Sequence, residues 1–206
     1  MPKVKIALTK MRCLQETNEV GADEPYVLVF AAQIKSVANV VNVPAASTTI
    51  YGPWSNVDKG DLVQSALVIG GKTILPAQNC WGLNGKPQEL ANADEAIFIV
   101  ALMENDDADT GGIRAGTHAQ MFASITSYAN AGMSRADMVG KLKHDMKDVL
   151  RGITVTGIPN SDDLVGVAEL FFNNTDLQKA ATQTVVKNIV LKGDGGEYRL
   201  RFEMSK

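Results

Sequence analysis

The C-terminal stretch Val185-Val186-Lys187-Asn188-Ile189-Val190-Leu191, followed after Lys192 by Gly193-Asp194-Gly195-Gly196 and Glu197-Tyr198-Arg199-Leu200-Arg201-Phe202-Glu203-Met204, decides the fold class. Tyr198, Leu200 and Phe202 alternate with Glu197, Arg199, Arg201 and Glu203. A period of two places one row of side chains in a core and the other in water, which is the pattern of a half-buried strand. The glycine-rich segment supplies the tight turn, so the two runs read as an antiparallel hairpin. The N-terminus repeats the signature, with Val4, Ile6 and Leu8 set against Lys3, Lys5 and Thr9. Residues 26–32 and 96–103 are continuous apolar runs rich in β-branched side chains and predict strands buried on both faces. Residues 164–172 predict one more strand. Between residues 34 and 75, short apolar pieces are broken by Gly52-Pro53 and Asp58-Lys59-Gly60-Asp61, a rhythm of strands and loops.

The period changes at Gly111. Met121, Ile125 and Tyr128, then Met138, Leu142, Met146 and Val149, recur every three or four residues. Together with the helix-start pair Ser134 and Asp137, this spacing predicts helices over 114–130 and 135–151, with the methionines filling core space. Strands before and after a helical pair imply one β domain with an insertion. Residues 1–110 form its first part, 111–155 the helical insertion and 156–206 the remaining strands of the same antiparallel sandwich.

Of the 206 residues, 45% are hydrophobic and 21% charged, a globular profile that argues against disorder. The opening Met1-Pro2-Lys3-Val4-Lys5-Ile6 lacks the apolar run of a secretory signal, and no stretch reaches membrane-spanning length. A soluble chain is expected, cytoplasmic or exported by a non-classical route. The net charge is −3 and no run of Lys and Arg stands out, so a nucleic-acid partner is not expected. Cys13 and Cys80 have neither metal-ligand nor redox spacing and are expected as buried thiols; His118 and His144 fall in helical stretches, as packing or surface residues. Tyr51, Trp54 and Trp81 are expected to cover the sandwich core.

Catalytic patterns fail on their details. Gly70-Gly71-Lys72-Thr73 matches the end of a phosphate-binding loop, yet Ala66 holds the earlier glycine position and Ile74-Leu75-Pro76 follows where a helix must begin. No serine nucleophile motif accompanies a histidine. Asn173-Asn174-Thr175 fits a glycosylation acceptor and reads as a turn. An enzyme is therefore not expected.

The carboxylates are unevenly spread. Glu16, Glu19, Asp23 and Glu24 form one segment, Glu104, Asp106, Asp107 and Asp109 a second, and Asp162 with Asp163 a third, each at a predicted strand end. Like charges so crowded repel unless the loops diverge or a cation offsets them. Calcium suits such loops, since it takes six to eight oxygen ligands in flexible geometry, whereas magnesium holds fewer protein ligands and more water. Charge pattern alone leaves solvated loops equally open.

The stretch Asn18-Glu19-Val20-Gly21-Ala22-Asp23-Glu24-Pro25-Tyr26-Val27-Leu28-Val29 resembles the first calcium loop and following strand of the C-two domain, the conserved-region-two module of protein kinase C and synaptotagmin, with its pattern Asp-x-x-Gly-x-Ser-Asp-Pro-Tyr-Val. Residues 97–102 followed by Glu104-Asn105-Asp106 resemble the Asp-x-Asp third loop of that family, and Asp162-Asp163-Leu164-Val165-Gly166 its closing Asp-Asp-Phe-Ile-Gly. The resemblance covers these three segments. It implies an eight-stranded antiparallel β-sandwich that binds calcium and acidic phospholipid at one end. Asp23 or Glu24 would match the aspartate before the proline, Glu104 and Asp106 the paired aspartates, and Asp163 or Asp162 the late one, with Asp107 and Asp109 in the same third loop.

The chain departs from the pattern at Asn18, at the extra Glu24, at the longer arm of Glu104, and in residues 107–161, which separate the halves of the third loop. The candidate loops carry only Val20 and Leu164 as apolar residues and no basic cluster, so lipid is the weaker partner. The expectation is a non-enzymatic calcium-binding module for targeting, adhesion or assembly, with a protein partner or self-assembly. The alternative is a structural subunit with at most a structural cation. Metal-dependent hydrolysis ranks last.

Overall fold

The computed structural model describes residues 2–18, 22–37, 40–69, 72–82, 86–106, 109–152, 154–155, 158–159 and 162–206. Among them the chain runs β1 (Lys3–Gln15), β2 (Pro25–Val37), β3 (Val40–Tyr51), β4 (Leu62–Gln64), β5 (Leu67–Ile69), β6 (Lys72–Leu75), β7 (Gln88–Glu89), a 3-10 turn (Ala93–Glu95) and β8 (Ala96–Glu104). It continues through α1 (Thr110–Asn130), α2 (Arg135–Gly152), β9 (Thr154–Val155), β10 (Ile158–Pro159), β11 (Leu164–Glu169), α3 (Asn174–Ala180), β12 (Val185–Gly193) and β13 (Gly196–Ser205). Two antiparallel sheets dominate. The terminal sheet, built from both chain ends, has the order β12-β13-β1-β4 with β7 also on β1; the central sheet has the order β11-β8-β2-β3.

Burial follows from what lies on each face. Between the sheets, Ile6, Leu8, Met11, Tyr198, Leu200 and Phe202 pack against Val27, Val29, Phe98, Val100 and Leu102. On its other face the central sheet presents Tyr26, Leu28, Phe30, Ile97, Ile99 and Met103 to Met121 and Ile125 of α1 and to Met138, Leu142 and Met146 of α2. A strand buried on both sides cannot alternate, which is why all nine residues of β8 are buried and its sequence is apolar throughout. In β13 buried and partly exposed residues alternate strictly, because only one face of the terminal sheet is covered. The expected sandwich with a helical insertion is therefore the fold, arranged in three layers: sheet, sheet, helix pair.

The insertion is tied to the sheet it covers. Arg135, the first residue of α2, donates to the Ala96 carbonyl at 2.9 Å and to Glu169 Oε1 at 2.8 Å, joining it to β8 and β11. Tyr128 Oη donates to Asp145 Oδ2 at 2.6 Å and holds the two helices together. Helix α1 begins four residues before the first position its apolar spacing predicts, because the Asp109 side chain caps it by accepting from the Gly111 N–H at 3.0 Å. The Ser134 and Asp137 start of α2 stands, with the Asp137 N–H on Ser134 Oγ at 3.2 Å.

Residues 173–175 depart from the turn expected there. Asn173 caps α3, accepting from the Asp176 N–H at 2.9 Å while Asp176 accepts from the Asn173 N–H at 3.0 Å. The predicted strand over 164–172 ends at Glu169, although the Leu170 N–H still reaches the Phe98 carbonyl at 3.0 Å. The β12–β13 hairpin turns through Asp194 and Gly195, both at positive φ. Gly193 sits where the two sheets meet: a Cβ there would run into the Val165 carbonyl of β11. Cys13 and Cys80 are free buried thiols, and Tyr51 and Trp81 lie in the core with Trp54 packed beside it, as expected. Among the described residues no helix is long and apolar enough to cross a membrane.

Candidate functional site

Strand order brings the described residues of the three acidic segments to one end of the sandwich, where β1 ends, β2 and β11 begin and β8 ends; Glu19 lies outside the described residues. Asp23 is buried, with its carboxylate accepting from the Thr17 N–H at 3.0 Å, from Thr17 Oγ1 at 2.8 Å and from the Tyr198 hydroxyl. Its carbonyl accepts from the Val57 N–H at 2.9 Å. Buried Glu104 accepts the Glu24 N–H on Oε1 at 2.8 Å, and its own N–H donates to the Asp163 carbonyl at 2.8 Å. Buried Asp162 accepts the Asp106 N–H at 3.0 Å and the Tyr26 hydroxyl at 2.6 Å. Burial first, and then the neighbouring carboxylates, push the Tyr26 and Tyr198 hydroxyls far above their ordinary value, so both remain proton donors.

The loops of Glu24, Glu104, Asp106, Asp162 and Asp163 are thus joined through their backbone, but Asp23 and Asp162 turn to opposite faces of the central sheet. The Tyr198 partner of Asp23 belongs to the core between the sheets, whereas the Tyr26 partner of Asp162 belongs to the helix-facing core. Asp109 caps α1, and Asp107 lies outside the described residues. The most buried carboxylates therefore work as acceptors that pin loop backbone. Among the described residues, no group of three or more His, Cys, Asp or Glu is placed to hold a metal ion. The pole gathers further acids: Glu16 accepts from the Lys59 N–H at 2.6 Å, Asp61 from the Asp58 N–H at 3.1 Å, and the Asp194 carbonyl from the Asn18 N–H at 3.2 Å.

A second surface lies on the uncovered face of the terminal sheet. The register sets Val190, Arg199, Arg12 and Leu62 in one row across four strands and Asn188, Arg201, Lys10 and Gln64 in the next. Flanking rows add Lys5 opposite Ser205, Val186 opposite Glu203, and Lys192 opposite Glu197. All point away from the core, because Tyr198, Leu200, Phe202 and Met11 on the intervening positions are buried. With Lys3 opposite Glu89 at the end of β1, seven cations share this face with three carboxylates. Arg201 pairs with Glu203 at 2.9 Å and Lys192 with Glu197 at 2.8 Å; among the described residues Lys5, Lys10, Arg12 and Arg199 make no ion pair. Leu62, Val186 and Val190 are 45%, 37% and 42% exposed on the same face. Directly opposed like charges such as Arg12 and Arg199 cost stability in a sheet.

Sequence reasoning did not find this surface. Its cations come from opposite ends of the chain and are interleaved with core residues, so no run of basic residues marks them. The available signal is that the polar phase of the first strand holds Lys3, Lys5, Lys10 and Arg12 and that of the last strand Arg199 and Arg201.

A cavity of about 640 Å³ lies beside β3, and the described residues that line it, among them 45–49 and 76–82, include no Asp, Glu, Lys or Arg. Its one thiol, Cys80, is buried, donates to the Ile6 carbonyl at 3.3 Å, and is pushed up to about 12 by desolvation, which keeps it protonated at neutral pH. His118 sits between Phe30 and Phe122, with Nδ1 3.2 Å from Thr48 Oγ1. Compared with known protein families, curated proteins and solved structures, the chain matches none.

Proposed function

We propose that the protein is a non-catalytic docking module whose working surface is the uncovered cationic face of the terminal sheet and whose partner is an acidic protein surface. One observation carries this: the helix pair covers one outer side of the sandwich, while the other stays bare and concentrates Lys5, Lys10, Arg12, Arg199 and Arg201 in a chain of net negative charge. Clustered cations on a flat sheet are a local fault in folding terms, and such faults mark functional positions. Guanidinium groups bind carboxylates with two parallel hydrogen bonds, which suits Arg12 and Arg199 to Asp and Glu side chains. Among the described residues the face carries no aromatic side chain on which nucleic-acid bases could stack, which favours carboxylates over single-stranded nucleic acid. The test is elution from immobilised polyglutamate: the parent is expected to need more salt than an Arg12→Glu/Arg199→Glu variant, and equal elution of the two would sink the proposal.

A second reading, calcium binding at the acidic pole, is favoured by the backbone contacts that bring the loops of Glu24, Glu104, Asp106 and Asp163 to one end of the sandwich and by the resemblance of those loops to the C-two domain. Calorimetric titration of the parent and of an Asp106→Ala/Asp163→Ala variant addresses it. Heat in the parent alone supports the cation site; no heat at about millimolar calcium, the weak end of protein sites, counts against it.

A further inference from the structure

We infer that the acidic surface taken by the cationic face is the acidic pole of a second copy of this chain, in a head-to-tail contact; the inference rests on the docking function proposed above and names its partner. The two surfaces are complementary and adjoin each other: Asp61 precedes Leu62 of the face and its carbonyl accepts from the Cys13 N–H beside Arg12, and Asp194 lies in the turn that follows Lys192. The pole exposes Asp58, Asp61, Asp106, Asp163 and Asp194 around a single Lys59, and the face exposes Arg12 and Arg199 with Lys10 and Lys5 half-buried beside them.

Charge decides the geometry of the contact. Pole on face satisfies both surfaces, whereas face on face or pole on pole would set like charges together. Made once per pair, as a head-to-tail contact, it leaves one free face and one free pole, so the contact repeats along a string of copies or closes into a ring. Leu62, Val186 and Val190 flank the arginine rows and offer apolar surface around the charged centre. Four strands at about 4.8 Å spacing make a face about 15–20 Å wide. The contact is held chiefly by exposed charges, which salt screens, so it depends on concentration and on salt.

Sedimentation velocity on the full chain tests this at about 0.01 M salt, where charges act over about 30 Å, and at about 1 M, where they act over about 3 Å. Three proteins are compared: the parent, a face variant Arg12→Glu/Arg199→Glu, and a pole variant Asp106→Lys/Asp163→Lys. The parent's average mass is expected to rise with concentration at low salt and to fall to the monomer at high salt. Each variant alone is expected to stay monomeric. Mixing the two variants restores association, since the intact pole of one meets the intact face of the other, and that restoration shows that both variants fold. A parent that stays monomeric at low salt overturns the inference. So does a face variant that associates as the parent does. If the monomeric parent still needs more salt than the face variant to leave polyglutamate, docking survives and only its partner is wrong; if it does not, both fail.

Discussion

Replacing Arg12 by glutamate should make the fold more stable while abolishing docking. Arg12 faces Arg199 directly across β1 and β13, with Arg201 and Lys10 in the adjoining row. An opposite-charge cross-strand pair contributes about 0.2–1 kcal/mol and a like-charge pair costs a similar amount. Both side chains are exposed, so solvent screening holds each effect to the lower part of that range, and the reversal is worth about 0.4–1 kcal/mol. For a chain of 206 residues this is a rise in Tm of about 1–4 °C. Thermal denaturation followed by circular dichroism reads it, with Arg12→Gln as the control that removes repulsion without adding attraction. The expected order at low salt is glutamate above glutamine above arginine, with the differences shrinking at about 1 M salt. A glutamate variant no more stable than the glutamine variant at low salt would refute the facing of Arg12 and Arg199 on which the cationic surface depends.

Tyr198→Phe removes a hydroxyl donor from the buried Asp23 carboxylate and should cost about 1.5–3 kcal/mol in urea denaturation; an unchanged midpoint means that Asp23 does not lean on that hydroxyl. Gly193→Ala puts a methyl group against the Val165 carbonyl where β11 meets β12, so a lower Tm is expected, and a parent-like melt contradicts that close approach. Burial pushes the Asp176 carboxyl up, but the Lys187 ammonium at 2.9 Å, the Asn173 N–H and neighbouring charge outweigh it and hold the pKa below the ordinary carboxylate value. A depressed folded pKa adds stability that is present above about pH 3.9, the unfolded value, and is lost as pH falls through the folded pKa. The stability difference between the parent and Asp176→Asn should therefore shrink below about pH 4; a difference independent of pH rules out the ion pair.

The sandwich was legible because its two kinds of strand write different patterns. Strands β1 and β13 alternate, since water lies on one side, and β2 and β8 do not, since helices and a second sheet lie on theirs. The helix pair was legible from its methionine and leucine spacing, but its true start at Thr110 was not, because a single Asp109 cap sets it and the apolar period begins later. Helix α3 was missed because seven residues are too few for a period, and its signal is the Asn173 and Asp176 capping box. The acidic segments were visible as clusters, and their convergence follows from adjacent strand ends. Which face each carboxylate turns to was not visible, since Asp23 and Asp162 are assigned by tyrosines 175 and 136 residues away. The cationic face was hidden for the same reason: only the pairing of the first strand with the last places Arg12 beside Arg199.

The most direct test of the docking surface is to measure lysine acylation rates, residue by residue, with and without polyglutamate at low salt. Lys5 and Lys10, in the terminal sheet, should be protected, while Lys141, on α2 over the Tyr128 ring of α1, should react at an unchanged rate. Protection of Lys141 with Lys5 and Lys10 left reactive would contradict the assignment of the working surface.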